Sequence, residues 1–180
     1  MLRSVLAAIV WRTSIMLLSG FKQPVCMPWR TPLRNSLGLT LHHVGYAVPS
    51  IESLSQLYVN RFGYEERTPV IHDPLQTAFV QFLALPGDLV YLEFVSPDGP
   101  ESRLVQAVRK GGGLNHLCYV TDNLDTTADL LVQTGMMVIS PPQPAVAFAG
   151  RRICWVLGED PLPVELVERT TPGDSCSPGL

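Results

Sequence analysis

Two histidines and two glutamates in this 180-residue chain each occur in a setting that the sequence writes twice. His43 lies in the apolar run Leu41-His42-His43-Val44-Gly45-Tyr46-Ala47-Val48. His116 lies in Leu114-Asn115-His116-Leu117-Cys118-Tyr119-Val120-Thr121, 73 positions later. Glu93, in Leu92-Glu93-Phe94-Val95, recurs after 72 positions as Glu165 in Val164-Glu165-Leu166-Val167. Two imidazoles and two carboxylates form a mixed nitrogen and oxygen donor set suited to a divalent ion such as Co, Zn, Mn or Ni. Four protein ligands on a six-coordinate ion leave two positions for water or substrate, as Lewis-acid chemistry requires. A lone histidine in an apolar strand is ordinarily a core residue, and a lone glutamate can face water. A matched pair of each, in the same order, points to a metal site.

The elements that must position these residues repeat as well. Each copy opens with an apolar strand, residues 40–48 and 114–121. Helix-capping signals follow: Ser50 ahead of Ile51-Glu52, and Asp122 or Asn123 ahead of Leu124-Asp125. Leu54, Leu57 and Tyr58 give one apolar helix face, and Leu124, Ala128 and Leu131 the other. Gly63 and Gly135 stand where a helix end needs a left-handed residue. Strand-like runs follow at about 64–71, 76–85 and 89–96 in the first copy. The second copy has them at about 136–140, at 145–149 or 151–158, and at 162–168. Each unit therefore reads β-α-β-β-β, and the fold class is α+β. A short helix over 101–110 and the triplet Gly111-Gly112-Gly113 join the copies. That triplet precedes a strand and lacks the Lys-Ser/Thr of a phosphate loop, so it reads as a connector. The domain spans 39–170, with modules 39–98 and 112–169, and 171–180 reads as a flexible tail rich in Pro, Gly and Ser.

Composition narrows the function classes. Apolar residues make up 46% and charged residues 16%, enough to build a core and too little charge for a disordered chain. The net charge of -3 gives no general attraction to nucleic acid. Cys26, Cys118, Cys154 and Cys176 form no zinc-finger spacing, and the reading is a reduced, intracellular protein. Residues 1–38 contain Arg3, Arg12, Lys22, Arg30 and Arg34 but no Asp or Glu. Arg12 interrupts the apolar stretch, which argues against a membrane span and a secretory signal. This N-terminal extension is excluded from the fold, as an upstream start or a mitochondrial transit segment. The expected compartment is cytoplasmic, or the mitochondrial matrix if it is a transit segment.

Several other residues carry weaker signals. Arg151 and Arg152, after Gly150, could hold a substrate carboxylate or phosphate, or form a solvated turn. Regular strand alternation turns His42 away from His43, so it is not expected to be a ligand. Gln81 and Tyr91 could line a cup.

On these motifs the chain resembles the vicinal oxygen chelate, or glyoxalase-like, superfamily over about residues 40–168. Both strand openings, with Tyr91-Leu92-Glu93-Phe94 and Val164-Glu165-Leu166-Val167-Glu168, fall on that superfamily's ligand positions. Within it, the order Leu92-Glu93-Phe94-Val95-Ser96-Pro97, Ser102, a Gly-rich link and Asn115-His116 is most similar to the methylmalonyl-CoA epimerases. The resemblance implies two βαβββ modules forming a cupped mixed sheet around a metal held by His43, Glu93, His116 and Glu165, as a homodimer. It implies a metal-dependent epimerase or isomerase that abstracts a proton alpha to the carbonyl of an acyl thioester. A glyoxalase I-like isomerase acting on a glutathione-type substrate, an extradiol dioxygenase-like enzyme and a non-catalytic binding protein share the fold. Glu165 and His72 are the implied catalytic groups. The epimerases tend to carry an acid where this chain has His72, and a one-residue shift would present Asp73 instead.

Overall fold

The computed structural model describes residues 37–179. The expected extension 1–38 lies outside the described residues except for its last two positions. The elements run β1 (Thr40–Ala47), α1 (Ile51–Phe62), β2 (Glu65–Glu66), β3 (Ile71–Asp73), β4 (Ala78–Ala84), β5 (Tyr91–Pro97), α2 (Val105–Arg109), β6 (Gly113–Thr121), α3 (Leu124–Gln133), β7 (Met137–Pro144), β8 (Arg152–Leu157) and β9 (Val164–Glu168). Local chemistry sets the helix limits. The Ser50 hydroxyl accepts from the Ser53 N–H, and Gly63 closes α1 at φ 74°. The Asn123 side chain accepts from the Thr126 N–H at the start of α3.

All strands join one mixed sheet in the order β2-β4-β5-β1-β6-β9-β8-β7, with β3 also paired to β4. The first module contributes β2 to β5 and β1; the second contributes β6 to β9. Within the modules, β1 pairs with β5 and β6 with β9, both parallel. Across the module boundary, β1 and β6 run antiparallel, and Val44 faces Leu117. These two residues are equivalents in the repeat, so the pseudo-twofold passes between them.

The strand expected over 64–71 is divided into β2 and β3, both antiparallel to β4. Pro69 stands in the gap, where it brings no N–H to a ladder. Period-two alternation then separates two faces. Leu83 and Phe94 pack with Val48 and Ile51 beneath α1. Cys154, Val156 and Leu166 pack with Leu124 and Ala128 of α3. Phe82, Val80, Val95, Phe148 and Ile153 form the core on the opposite face. Glu93 and Glu165, each next to a residue under a helix, face that second side.

The connector and the tail are specifically tied. Gly112 adopts φ +72°, and a β-carbon there would overlap the Ala47 carbonyl oxygen, so the triplet is also a close-approach device. Residues of the segment expected to be flexible make defined contacts. Asp174 pairs with Arg151 at 3.0 Å, and the Cys176 N–H donates to the Asp174 carboxylate at 2.8 Å. The Gly179 N–H donates to the Ala147 carbonyl. Cys118, Cys154 and Cys176 are buried free thiols.

Candidate metal centre and active site

The four repeated residues converge. Nε2 of His43 lies 2.9 Å from Nε2 of His116. The Glu93 carboxylate lies 3.4 Å from His43 Nε2 and 3.1 Å from His116 Nε2; the Glu165 carboxylate lies 3.2 and 3.8 Å from the same atoms. The register explains this meeting. His116 of β6 faces Gly45 of β1, and Gly45 faces Glu93 of β5. The equivalent set in the second module is His43 facing Cys118, which faces Glu165. A β-carbon at Gly45 would overlap the His116 imidazole, so only glycine leaves room for that ring.

Each ligand strand carries a β-bulge immediately before its histidine. On β1, Leu41 pairs with Tyr119 and His43 with Cys118, so His42 is the extra residue. On β6, Gly45 pairs with His116 and Tyr46 with Leu114, so Asn115 is extra. The bulge corrects the expectation that His42 turns away: His42 is buried beside His43 at 2% exposure. Its Nδ1 lies 2.8 Å from His43 Nδ1, and its Nε2 lies 3.0 Å from the Cys176 carbonyl oxygen. In the second module the Asn115 side-chain oxygen lies 2.9 Å from His116 Nδ1.

Electrostatics favour positive charge at the meeting point. Burial pushes the Glu93 carboxyl upward, but His43 and His116 outweigh it and hold that group well below the usual carboxylate range. Burial opposes charging of His43, and the Glu93 and Glu165 carboxylates favour it, raising that imidazole above its ordinary value. For His42, burial and the His43 charge dominate and lower the pKa to about 3, leaving the ring neutral at pH 7. Burial pushes the Cys118 thiol far up, so it remains protonated.

The donor set fits a divalent ion. Ligand atoms about 2.0–2.2 Å from an ion sit roughly 3.0–3.5 Å from one another; five distances among these four side chains run from 2.9 to 3.8 Å, with His116 to Glu165 the widest. Among the described residues, His43, Glu93 and His116 are buried together with ligand atoms within 4.8 Å of one another.

The centre opens on a cavity of about 280 Å³. Its walls are largely apolar, with Val80, Val95, Ala147, Phe148, Ile153 and Trp155 among them, and Glu93, His116 and Glu165 reach it. Asp73 also lines it, buried at 1% exposure. One Asp73 oxygen accepts from the Leu75 and Gln76 N–H groups; the other accepts from Val146 N–H of the second module. His72 lies on the opposite side of β3. Its ring is exposed, 3.1 Å from Asp98, and is not part of the cavity wall. Arg151 is committed to Asp174, and Arg152 to Glu168 and Asp125. Gln81 faces the helix side, where it bonds Ser55 and the Thr68 carbonyl. Tyr91 packs against His42. Arg103, which composition did not single out, is the only Lys or Arg in the cavity wall among the described residues.

A model of the glyoxalase/bleomycin resistance protein/dioxygenase superfamily matches residues 42–155. The chain belongs to this superfamily. Among its relatives, the ethylmalonyl-CoA/methylmalonyl-CoA epimerase of Cereibacter sphaeroides is 28% identical over 122 residues, covering 67% of this chain and 89% of that protein. The mitochondrial methylmalonyl-CoA epimerase of Dictyostelium discoideum is 25% identical over 120 residues, covering 64% of this chain and 69% of that protein. The solved methylmalonyl-CoA epimerase of Mycobacterium tuberculosis shares the fold at a TM-score of 0.62 and 22% identity, covering 73% of this chain and 88% of the other. Two modules joined at β1 and β6 are thus the superfamily architecture in this chain. No helix among its described residues is long and apolar enough to cross a membrane.

Proposed function

We propose that this superfamily member is a metal-dependent epimerase of an acyl thioester, methylmalonyl-CoA epimerase-like, that moves a proton on the carbon alpha to a carbonyl. The carrying observation is the convergence of His43, Glu93, His116 and Glu165 beside an apolar cavity that holds a further carboxylate, Asp73. His43, Glu93, His116 and Glu165 would hold Co, Zn, Mn or Ni. When bound, such an ion supplies positive charge at a substrate carbonyl oxygen, which acidifies the neighbouring C–H.

Epimerisation needs one proton-transfer group on each face of the carbon. We assign these roles to Glu165 of the second module and Asp73 of the first. Of the two first-module groups weighed from the sequence, Asp73 reaches the cavity, whereas His72 pairs with Asp98 outside it. The backbone N–H groups of Leu75, Gln76 and Val146 hold the Asp73 carboxylate in place without using all its acceptor positions. The apolar wall excludes water around the reacting carbon. Arg103 supplies a guanidinium to the wall, suited to an anionic part of the thioester substrate. The two relatives named as epimerases of methylmalonyl-CoA support that acyl group.

Among the described residues no strand pairs with the outer edge of β7, where Met137, Val138 and Ile139 are exposed, and we assign this surface to a homodimer contact. The compartment we assign is the cytoplasm, or the mitochondrial matrix if residues 1–38 act as an import signal.

The test is deuterium exchange from D2O into a panel of α-substituted acyl-CoAs, with the glutathione hemithioacetal of methylglyoxal included. The expected result is exchange into methylmalonyl-CoA by the wild type and loss from one epimer in Asp73→Asn. Turnover of the hemithioacetal alone would overturn the reading in favour of a glyoxalase I-like isomerase.

A further inference from the structure

Both bulged residues make the same contact. His42 precedes His43 and Asn115 precedes His116, and each is the extra residue of its strand. Each then places a polar atom within 2.9 Å of its neighbour's Nδ1, on the side of the ring away from the centre. The pseudo-twofold therefore repeats an arrangement of four residues, two ligands and two supports. The chemical identity of the supports differs, and only one of them needs a support of its own.

Hydrogen-bond logic fixes the proton positions along both chains of contacts. The Asn115 side-chain oxygen can only accept, so His116 Nδ1 carries the proton and its Nε2 presents a lone pair to the centre. The Cys176 backbone carbonyl can likewise only accept, so Nε2 of His42 carries a proton. With Nε2 of His42 donating to that carbonyl, its Nδ1 offers the lone pair that accepts Nδ1–H of His43 at 2.8 Å, and Nε2 of His43 is left to face the centre. The tail carbonyl thus sets His42, and His42 sets His43.

We propose that His42 and Asn115 are positioning residues that hold the ligand histidines in their Nδ1–H tautomers, and that the Cys176 carbonyl sets His42 for this task. The inference rests on the metal centre of the proposed function. Removing an outer partner of a ligating histidine typically costs about 10–100-fold in metal affinity.

The test is calorimetric titration of the full chain with Zn and Co, paired with nitrogen-15 NMR of the imidazole rings. His42→Phe fills a pocket already walled by Phe82, Tyr91 and Phe148 but offers no acceptor. It should bind Zn about 10–100-fold more weakly than the wild type. His42→Asn, which installs the residue of the second module, should restore most of that loss. Asn115→Leu should weaken binding similarly, and Asn115→Asp, which keeps the acceptor, should not. A purely packing role for these residues would not distinguish the acceptor-bearing variants from the others. In the NMR spectrum of the wild type, His42 should be protonated at Nε2, with Nδ1 as the acceptor. Wild-type affinity in both His42→Phe and Asn115→Leu, or a His42 protonated at Nδ1, would overturn the inference. If His42→Phe does not fold, Asn115→Leu and the wild-type tautomer decide it. A wild type that binds no divalent ion would refute the metal reading, and the His42 tautomer in the metal-free protein would still test the positioning claim.

Discussion

Gly45 lies opposite His116 across the β1–β6 ladder, and a β-carbon on Gly45 would occupy the space of the His116 ring. The equivalent place in the second module holds Cys118, opposite His43. The two halves of the centre are therefore alike in register and different in the room they leave. Gly45→Ala must displace His116 or the strand, at a cost of about 1–3 kcal/mol for an overfilled site. The expected outcome is a lower melting temperature and a metal affinity weakened more than tenfold. Cys118→Ala removes atoms and should retain the ion. Calorimetry on both variants measures this, and a Gly45→Ala protein with wild-type affinity would refute the packing argument.

Metal removal should be visible in stability. An ion that binds only the folded chain stabilises it by about 2.7 kcal/mol at a free concentration one hundred times its Kd. Chelation should therefore lower the wild-type melting temperature. His43→Ala and Glu165→Ala should melt at the same temperature with and without added ion. Thermal scans with Zn, and again with chelator, measure both.

Arg103 should matter for substrate affinity. It lines the cavity without being one of the four converging side chains, so Arg103→Gln should raise KM severalfold with little change in kcat. A parallel assay with a pantetheine thioester, which lacks the nucleotide phosphates, locates the anion. A defect confined to the CoA thioester assigns Arg103 to phosphate, and a defect with both assigns it to the acyl carboxylate. Unchanged KM for both substrates would remove Arg103 from the account.

The tail contact has its own pH dependence. Burial pushes the Asp174 carboxyl up, but the Cys176 and Thr170 N–H groups, the Thr170 hydroxyl and Arg151 hold it well below its ordinary value of 3.8. A depressed carboxyl stabilises the folded form above its unfolded pKa, and that contribution disappears as pH falls below it. Amide exchange at Cys176 should therefore speed up below about pH 3.8, relative to exchange in β4. Equal acid sensitivity of the two segments would contradict this.

Much of the arrangement was legible because the repeat is a matter of residue type and spacing. His43, Glu93, His116 and Glu165 could be paired from sequence, and the same offset placed the two helices and their caps. The helix packing under Leu83, Phe94 and Leu166 explains why each glutamate stands between large apolar neighbours on its strand. What strand alternation could not express was an added residue. One bulge on each ligand strand brings His42 and Asn115 beside the histidines, where a regular strand would have pointed them away. The doublets His42-His43 and Asn115-His116, repeated at the same offset, were the available signal. The His72 and Asp73 ambiguity was a question of phase over three residues, and only pairing with β4 decides which side chain faces the cavity. Arg151 and Arg152 could have faced a ligand, but their partners Asp174, Glu168 and Asp125 come from distant segments that a local reading does not connect.

Proton transfer at the α-carbon, as proposed here, depends on an ion that His43, Glu93, His116 and Glu165 would hold. The most direct measurement is proton NMR of each methylmalonyl-CoA epimer in D2O, with protein that is metal-loaded, chelated, or carries Glu165→Gln. The expected result is solvent deuterium at the α-carbon from both epimers with the loaded wild type, and none above background after chelation or in Glu165→Gln. No exchange by the loaded protein, or exchange that survives complete removal of the ion, would contradict it.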